Sequence, residues 1–346
     1  MTLGVYNHKG GDFMQTIRER TLEAEKKFIS PYGMLCENTK GRERPEEECP
    51  VRTAYQRDRD RIVHCTAFRR LKHKTQVFLS PDSDHYRTRL THTLEVSQIA
   101  RTIAMALSLN ETLTEAIALG HDLGHTPFGH AGERALNEVF PDGFKHYEQS
   151  RRVVDKIEKK GEGLNLTYEV RNGILCHTRG EEACTLEGRI VKLADRIAYI
   201  NHDIDDAVRG GVITEGNIPL EVRKILGETK SERINTLVMS AINNTKDTIC
   251  LDRDIQGAFD TLHEFMFDRV YTNPVCKSEE SKAIAMIQQL YSFFSTHPDE
   301  LPNEYIEIAW RDGAERAACD YIAGMTDSYA LKVFAHYFIP MGWSEK

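Results

Sequence analysis

The sequence predicts an all-α protein. Apolar residues recur at helical spacing over long segments, most clearly over residues 88–109 and 187–208. No stretch of useful length alternates apolar and polar residues as a half-buried β-strand would. Pro, Gly and Asn residues separate the helical segments. A chain of 346 residues with 40% hydrophobic content can bury one large core or two modest ones.

The predicted organisation has three parts that form one structural unit. Residues 1–50 make a polar arm with a helical run near residues 14–28. Residues 51–210 make the core that carries the chemical motifs. Residues 211–346 make a helical extension packed on that core. The extension is chemically quiet, and we expect its aromatic residues to serve core or subunit contacts.

Composition excludes several classes of protein. The formal net charge of −8 argues against bulk nucleic-acid binding, which usually requires a basic balance. No run of eighteen apolar residues is present, so a membrane span is not expected. The first residues lack the basic-then-apolar pattern of a secretory signal. The eight cysteines form no C-x-x-C pair, which favours a reduced, cytoplasmic location.

Positive charge is concentrated in one short segment of this acidic chain. Its basic residues are Arg52, Arg57, Arg59, Arg61, Arg69, Arg70, Lys72 and Lys74. A solvated helix face is one interpretation, and it accounts for about half of them. A cluster that faces a phosphate is the other, because guanidinium groups match phosphate oxygens in pairs.

The helix predicted over residues 88–109 carries the first candidate site residue. Its apolar stripe consists of Leu90, Leu94, Ile99, Ile103 and Leu107. His92 lies in its first turn, and Arg89 lies one turn earlier on nearly the same side. A lone histidine on such a helix is more often a core residue than a metal ligand. The residues near His92 in the fold therefore decide which of the two roles it has.

The chain is organised around the segment 119–133. A helix predicted over residues 114–121, with a capping box formed by Thr112 and Glu115, ends at His121-Asp122. Turn residues follow at Gly124, Pro127 and Gly129. One such His-Asp pair by itself could be a buried histidine bonded to a carboxylate.

Two neighbouring helices bring further candidates to the same place. Consecutive helices with a short connection pack antiparallel, so His92 near the start of one lies level with His121 near the end of the next. In the helix over residues 187–208, Asp195, Tyr199 and Asp203 are four residues apart, and each is rotated by about 40° from the one before. A buried Asp such as Asp195 is costly unless it is paired or binds a metal.

These residues predict a metal site of nitrogen and oxygen donors without thiolate. Such a set suits Mg²⁺, Mn²⁺, Fe or Co with positions left for water and substrate. The predicted ligands are His92, His121, Asp122 and Asp195. His130 and Glu133 share a helix face, which is the geometry of a proton-transferring group with an acidic partner. With His125 and His146 added, the candidate residues outnumber the ligands that one metal ion can bind.

The pattern His92, His121-Asp122, Asp195 resembles the H…HD…D pattern of the HD-domain metallophosphohydrolases. Longer strings are similar to the bacterial deoxyguanosine triphosphate triphosphohydrolases and their dNTPase relatives, over roughly residues 30–210. The matching strings are residues 57–64, 68–78, 121–130 and 195–206.

The resemblance implies an HD fold with a helical C-terminal extension and a role for each candidate. The implied metal ligands are His92, His121, Asp122 and Asp195. The implied catalytic residues are His130, its acidic partner Glu133, and a second histidine, His146. The implied substrate-binding residues are Gln76, Arg89, His125, Tyr199 and Asp203, of which Tyr199 packs on the deoxyribose and Asp203 bonds its 3′-hydroxyl.

The family resembled cleaves dNTPs at the α-phosphorus and releases a deoxynucleoside and tripolyphosphate. The implied cofactor is one divalent ion per active site, with Mg²⁺ or Mn²⁺ first and Fe, Co, Ni or Zn as further candidates. Beyond the dNTP, candidate partners are an allosteric nucleotide and a single-stranded DNA effector, and the expected assembly is a homo-oligomer, a tetramer or hexamer. No membrane partner is expected.

Two alternatives remain open from the sequence. One is another HD phosphohydrolase, such as a nucleotidase or a phosphodiesterase, which would release orthophosphate or pyrophosphate. The other is a nucleotide-sensing or nucleic-acid-binding module. The four intact ligands, together with His130 and Glu133, argue against a module without catalysis. The sequence leaves open whether His130 or His146 is the proton donor.

Overall fold

The all-α prediction is confirmed by a computed structural model that describes residues 15–76, 87–178, 180–273 and 279–340. Within these residues there are sixteen α-helices and no β-strand, only two isolated bridges. Val77 and Phe78 of the motif segment, the first fourteen residues of the predicted arm and the last six of the extension lie outside the described residues.

Most of the helices are short and follow one another closely. In chain order they are α1 (Ile17–Phe28), α2 (Ala54–Val63), α3 (Thr66–Arg70), α4 (Arg89–Ala106), α5 (Glu111–Gly120), α6 (Gly129–Val139), α7 (His146–Arg152), α8 (Tyr168–Leu175), α9 (Leu186–Arg209), α10 (Leu220–Leu226), α11 (Lys230–Asn244), α12 (Arg253–Met266), α13 (Glu280–Thr296), α14 (Asn303–Asp312), α15 (Ala314–Ala323) and α16 (Asp327–Phe338). A five-residue π-helical segment, Phe267–Tyr271, continues α12.

A first hydrophobic core forms where α4 packs between α5 and α9. On α4, Val96, Ile99, Ala100 and Ile103 are almost fully buried. Leu94, which the predicted stripe placed in the core, is 51% exposed. The stripe is correct at Ile99 and Ile103, which are buried, and wrong at Leu94, which lies on the outer face of α4 with Arg101 and Met105.

The start of α5 differs from the prediction. Its N-cap is Asn110, whose side-chain oxygen accepts a hydrogen bond from the backbone N–H of Leu113, and not Thr112. The preceding helix ends early because Ser108 adopts a left-handed conformation with φ of 53°. The carboxylate of Glu187 accepts the backbone N–H of Asn110, which fixes this corner against α9.

A second hydrophobic core joins α6 to the C-terminal helices α13 to α16. Its fully buried aromatic residues include Phe144 and Phe294. Buried Asp320 on α15 accepts hydrogen bonds from Gln149 and Arg152, both on α7. The C-terminal helices are thereby held against the helices that follow the His121 loop.

Two polar contacts carry this attachment into the loop itself. The side-chain amine of Lys74 donates to the backbone oxygens of His125 and Ala323, at 2.5 and 2.8 Å. The carboxylate of Asp327 accepts the backbone N–H groups of Thr75 and Phe128. None of the described helices combines the length and the apolar character that crossing a membrane requires.

Candidate metal centre and active site

The loop between α5 and α6 is packed too tightly for side chains at its glycines. A Cβ on Gly124 would lie 2.1 Å from the backbone nitrogen of Ser150, and one on Gly132 would lie 2.1 Å from the oxygen of Pro127. Phe128 and Gly129 both have positive φ, 60° and 56°. This close packing holds the histidines and the aspartate of the loop in fixed positions.

The structure brings the four predicted metal ligands together from α4, α9 and the loop after α5. Nε2 of His92 lies 3.0 Å from Oδ1 of Asp195. Nε2 of His121 lies 3.6 Å from Oδ1 of Asp122 and 3.8 Å from Oδ1 of Asp195. Two donor atoms that each bind the same metal ion at about 2.1 Å lie at comparable distances from each other. The spacing of these donor atoms is therefore compatible with one shared ion.

The position of the proton on His121 also suits the binding of a cation. Nδ1 of His121 donates a hydrogen bond to the backbone oxygen of Ala118 at 2.6 Å. In the neutral ring Nε2 therefore carries the lone pair, and this buried atom has no hydrogen-bond partner among the residues that the structure describes. An unpaired buried acceptor is costly, and a bound cation satisfies it.

Both carboxylates of the set are ionised in spite of their burial. Burial opposes the ionisation of Asp122, but electrostatic attraction to the adjacent His121 imidazole and to the Arg89 guanidinium outweighs it and holds its pKa well below the usual value. Burial likewise opposes ionisation of Asp195, but without a cation in the site the hydrogen bond that Nε2 of His92 donates and the neighbouring imidazoles outweigh burial and lower its pKa. A bound cation would take the place of that Nε2 proton. The guanidinium of Arg89 donates to Oδ2 of Asp122 at 2.8 Å.

A cavity of about 780 Å³ opens onto this centre. Ten of the twelve predicted site residues line it: Gln76, Arg89, His92, Asp122, His125, His130, His146, Asp195, Tyr199 and Asp203. The other two predicted site residues, His121 and Glu133, do not line the cavity themselves but contact residues that do. The sequence thus identified residues that the fold collects around one cavity.

Several buried polar atoms of this site have no hydrogen-bond partner among the described residues. They are Oε1 of Gln76, Nε of Arg89, Nε2 of His121, Nδ1 of His125 and Oδ1 of Asp203. Native proteins pair nearly all such atoms, so a group of them around one cavity indicates a polar ligand that completes the pairing.

Glu133 joins the two histidines predicted to act in catalysis. Its Oε1 accepts the Nδ1–H of His146 at 2.9 Å, and its Oε2 lies 3.4 Å from Nδ1 of exposed His130. Burial opposes ionisation of Glu133, but hydrogen bonds from both imidazoles outweigh it and lower its pKa far below the usual value. A permanent carboxylate therefore orients both rings.

The prediction that the C-terminal extension is chemically quiet is wrong. The hydroxyl of Tyr271 donates to Oδ2 of Asp203, and His263 and Phe267 also line the cavity. Burial raises the pKa of Asp203 to about 7. No motif marked these residues, which lie about sixty positions after Asp203 and come into place through α12 and its π-helical continuation.

Sequence reasoning also missed a second row of polar residues behind His92. Nδ1 of His92 lies 3.4 Å from Nδ1 of His202, and Nε2 of His202 lies 2.7 Å from Oε2 of Glu95. Burial lowers the pKa of His202 to about 4, so at neutral pH its one proton sits on the nitrogen beside Glu95. His202 then accepts the Nδ1–H of His92, which leaves Nε2 of His92 free to bind a metal.

A signal for this row was present in the sequence. Glu95 lies three residues after His92, on the same face of α4. His202 lies seven residues after Asp195, two turns along α9. His177 was missed as well, and its ring centroid lies 5.0 Å from that of His121.

The basic cluster predicted to face a phosphate does not line this cavity. Arg52, Arg57 and Arg61 line a separate cavity of about 550 Å³. Arg57 and Arg61 are paired with Glu46, because α2 turns its charged face toward the N-terminal arm. At the His/Asp cavity the lining cations are Arg89 and Arg134, while Lys74 from the same segment is buried behind the loop.

Comparison with known families identifies the class of the protein. Residues 89–200 match the HD domain, and residues 249–336 match the phosphohydrolase-associated domain. The HD match contains all four predicted metal ligands. The HD domain is a metal-dependent phosphohydrolase domain, so the chain is a hydrolase with a candidate His/Asp metal site.

Individual relatives identify the family within that class. A deoxyguanosinetriphosphate triphosphohydrolase-like protein from Caldanaerobacter subterraneus subsp. tengcongensis is 53% identical over 332 residues, which cover 95% of this chain and 98% of the relative. A protein of the same description from Desulfatibacillum aliphaticivorans is 48% identical, over 94% of this chain and 99% of the relative. The chain belongs to the family of deoxyguanosinetriphosphate triphosphohydrolase-like proteins.

A solved structure shows the same fold at much lower sequence identity. A hypothetical protein from Aquifex aeolicus matches with a TM-score of 0.50 and 18% identity, over 80% of this chain and 67% of that one. This likeness concerns the fold alone.

Replacing His202 tests the row of polar residues behind His92. We expect His202→Ala to lower the affinity for Mn²⁺ by about 10–100-fold, because His92 loses the partner that fixes its proton on Nδ1. Isothermal titration calorimetry of the folded variant measures the change. Glu95→Gln keeps an acceptor beside His202 and should lose less.

Two control variants give the expected extremes of that titration. Asp195→Ala removes a predicted ligand and should abolish tight binding together with activity. His336→Ala changes an exposed histidine far along the chain and should bind as the unmodified protein does. Unchanged affinity in His202→Ala would show that His202 does not orient His92.

Proposed function

We propose that this protein hydrolyses deoxynucleoside triphosphates at the α-phosphorus, giving a deoxynucleoside and tripolyphosphate with the help of one divalent ion. The observation that carries the proposal is that buried polar atoms without a hydrogen-bond partner among the described residues occur both at the candidate metal ligands and at Asp203 of the same site. A nucleotide with a charged end and a hydroxyl-bearing sugar supplies partners for both groups.

The ion would be held by the residues predicted from the sequence, His92, His121, Asp122 and Asp195. Imidazole and carboxylate donors without thiolate suit Mn²⁺, Mg²⁺ and other first-row divalent ions. When bound, the ion supplies positive charge at the phosphate and lowers the pKa of a coordinated water.

The phosphate chain would extend along the basic part of the cavity. Arg89 is fixed by Asp122 and by the backbone oxygen of Gln76, at 2.8 and 3.1 Å. Arg134 also lines the cavity, with its guanidinium paired to Glu280. Burial lowers the pKa of His125 well below its usual value, so this imidazole is neutral and its unpaired Nδ1 can bond a phosphate oxygen or a water.

The sugar would lie over the stripe that follows Asp195 on α9. Tyr199 and Asp203 lie one and two turns beyond it. The hydroxyl of Tyr271 occupies Oδ2 of Asp203, and the unpaired Oδ1 can accept the 3′-hydroxyl. The ring of Tyr199 would press on the sugar and leave no room for a 2′-hydroxyl.

His130 is the proton donor that we propose for the leaving 5′-oxygen. It lines the cavity outside the four-ligand set, and Oε2 of Glu133 lies 3.4 Å from its Nδ1, where the carboxylate can orient the ring for proton transfer. An alternative within the same site has His130 position the attacking water. We also keep as predictions an allosteric nucleotide, a single-stranded DNA effector, a homo-oligomeric tetramer or hexamer, and a cytoplasmic location.

Comparing dGTP with GTP tests the sugar part of the proposal. We expect turnover of dGTP to exceed that of GTP strongly, and Tyr199→Ala to weaken this preference because the ring no longer excludes a 2′-hydroxyl. Chromatography of the products with Mn²⁺ or Mg²⁺ measures both rates. Tyr199→Phe retains the ring and should retain the preference. Equal turnover of GTP and dGTP by the unmodified protein would contradict the proposed contact between Tyr199 and the sugar.

Replacing His130 tests the proton transfer. We expect His130→Ala to reduce turnover by about 10²–10⁴-fold, the usual size of a general acid–base contribution. Binding of metal and of dNTP should persist, because His130 belongs to neither ligand set. Steady-state rates together with calorimetric titrations measure the three quantities. Near-normal turnover would remove His130 from the mechanism.

A further inference from the structure

One aromatic side chain lines the cavity without being part of a core. Phe267 is 56% exposed, and it belongs to neither of the two hydrophobic cores that the described residues form. It nevertheless lines the same cavity as the candidate metal ligands. A large apolar side chain that stays exposed inside a concave site indicates a contact with a ligand, because burial of its ring would release free energy.

The helix that carries Phe267 faces the proposed sugar site. His263, Phe267 and Tyr271 are four residues apart along α12 and its π-helical continuation, and all three line the cavity. The ring centroids of His263 and Tyr199 lie 6.4 Å apart, and the hydroxyl of Tyr271 donates to Asp203. Phe267 lies between these two contacts along the chain. It therefore belongs to the wall of the cavity that stands across from the Tyr199–Asp203 stripe of α9.

The π-helical segment fixes the direction of this wall. Val270 is fully buried in the first core, while Phe267 and Tyr271 on the same five-residue segment line the cavity. Tyr271 is also held by its hydrogen bond to Asp203. Such short π-helical segments are rare and occur frequently at functional sites. A segment anchored at Val270 and Tyr271 presents the ring of Phe267 with little entropy left to lose on binding.

A nucleotide bound as proposed needs a partner for its base on this side of the cavity. The phosphates lie at the metal ligands, and Oδ1 of Asp203 accepts the 3′-hydroxyl. The base is attached at C1′, two ring carbons from C3′ and across the ring oxygen from the carbon that bears the 5′-phosphate. It therefore extends from the sugar away from the metal centre. An aromatic ring is a suitable partner there, because every nucleobase presents a π-face.

We propose that the ring of Phe267 is the platform on which the nucleobase of the substrate stacks. The inference rests on the proposed function, since the position of the base follows from the contacts proposed for the phosphates and the sugar. Stacking does not use the hydrogen-bonding groups of a base, so this contact serves all four deoxynucleoside triphosphates.

Hydrolysis of substrates with and without a base tests the platform. We expect Phe267→Ala to lower kcat/KM by about 5- to 150-fold with each dNTP, the factor that corresponds to the stacking of one base on an aromatic side chain. The variant should hydrolyse 2-deoxyribose 5-triphosphate as the unmodified protein does, because this substrate has no base to stack. Chromatography of released tripolyphosphate, with Mn²⁺ present, measures every rate.

Two further variants serve as matched controls. Phe267→Tyr keeps an aromatic ring at the position and should retain kcat/KM for each dNTP. Phe28→Ala removes another exposed phenylalanine, at the end of α1 and outside the cavity lining, and should behave as the unmodified protein. If circular dichroism shows that Phe267→Ala is unfolded, Phe267→Leu replaces it with the same losses expected, since leucine keeps apolar volume without a ring.

The outcomes separate the platform from the function on which it rests. Unchanged kcat/KM for the dNTPs in Phe267→Ala, or an equal loss with 2-deoxyribose 5-triphosphate, rejects the platform alone. A smaller assembly of Phe267→Ala in light scattering also rejects it, because the ring would then serve a subunit contact. If the unmodified protein releases no tripolyphosphate from any dNTP, the proposed function and the platform are both wrong.

Discussion

The burial of two ionised carboxylates among imidazoles is the constraint on which this site depends. Asp122 and Asp195 line the cavity where α4, α5 and α9 meet, with Asp122 buried and the Asp195 side chain 17% exposed. Removing such charges from water costs several kcal/mol each unless they are paired and hydrogen-bonded. Arg89 and the surrounding histidines provide part of that compensation, and the divalent ion that we propose for this site would provide the rest.

The same constraint explains how the fold is arranged around the site. The loop after α5 admits no side chain at Gly124, so its histidines cannot move away from the carboxylates. The C-terminal helices reinforce the loop from behind through Lys74 and Asp327. Their shared core with α6 places the helix that carries His130 and Glu133 between the metal centre and the extension.

The sequence predicted the all-α class and ten of the residues that line the cavity, because strong local signals mark them. His121-Asp122 ends a helix, and Asp195, Tyr199 and Asp203 repeat at the helical period, so their proximity follows from helix geometry. Tyr271 could not be predicted in this way, since its contact with Asp203 depends on the path of α12 and its π-helical end. The prediction that arginines of α2 face a phosphate in this cavity was wrong. The sequence shows that the segment is basic, but it does not show toward which neighbour the charged face of the helix points.

The central claim is that a dNTP is cleaved at its α-phosphorus in this cavity. Hydrolysis of each dNTP in ¹⁸O-labelled water with Mn²⁺, followed by mass spectrometry of the products, tests it most directly. The account predicts an unlabelled deoxynucleoside and tripolyphosphate that carries one ¹⁸O atom, because water attacks phosphorus and the 5′-oxygen leaves. Release of pyrophosphate or orthophosphate, or label in the deoxynucleoside, would contradict it.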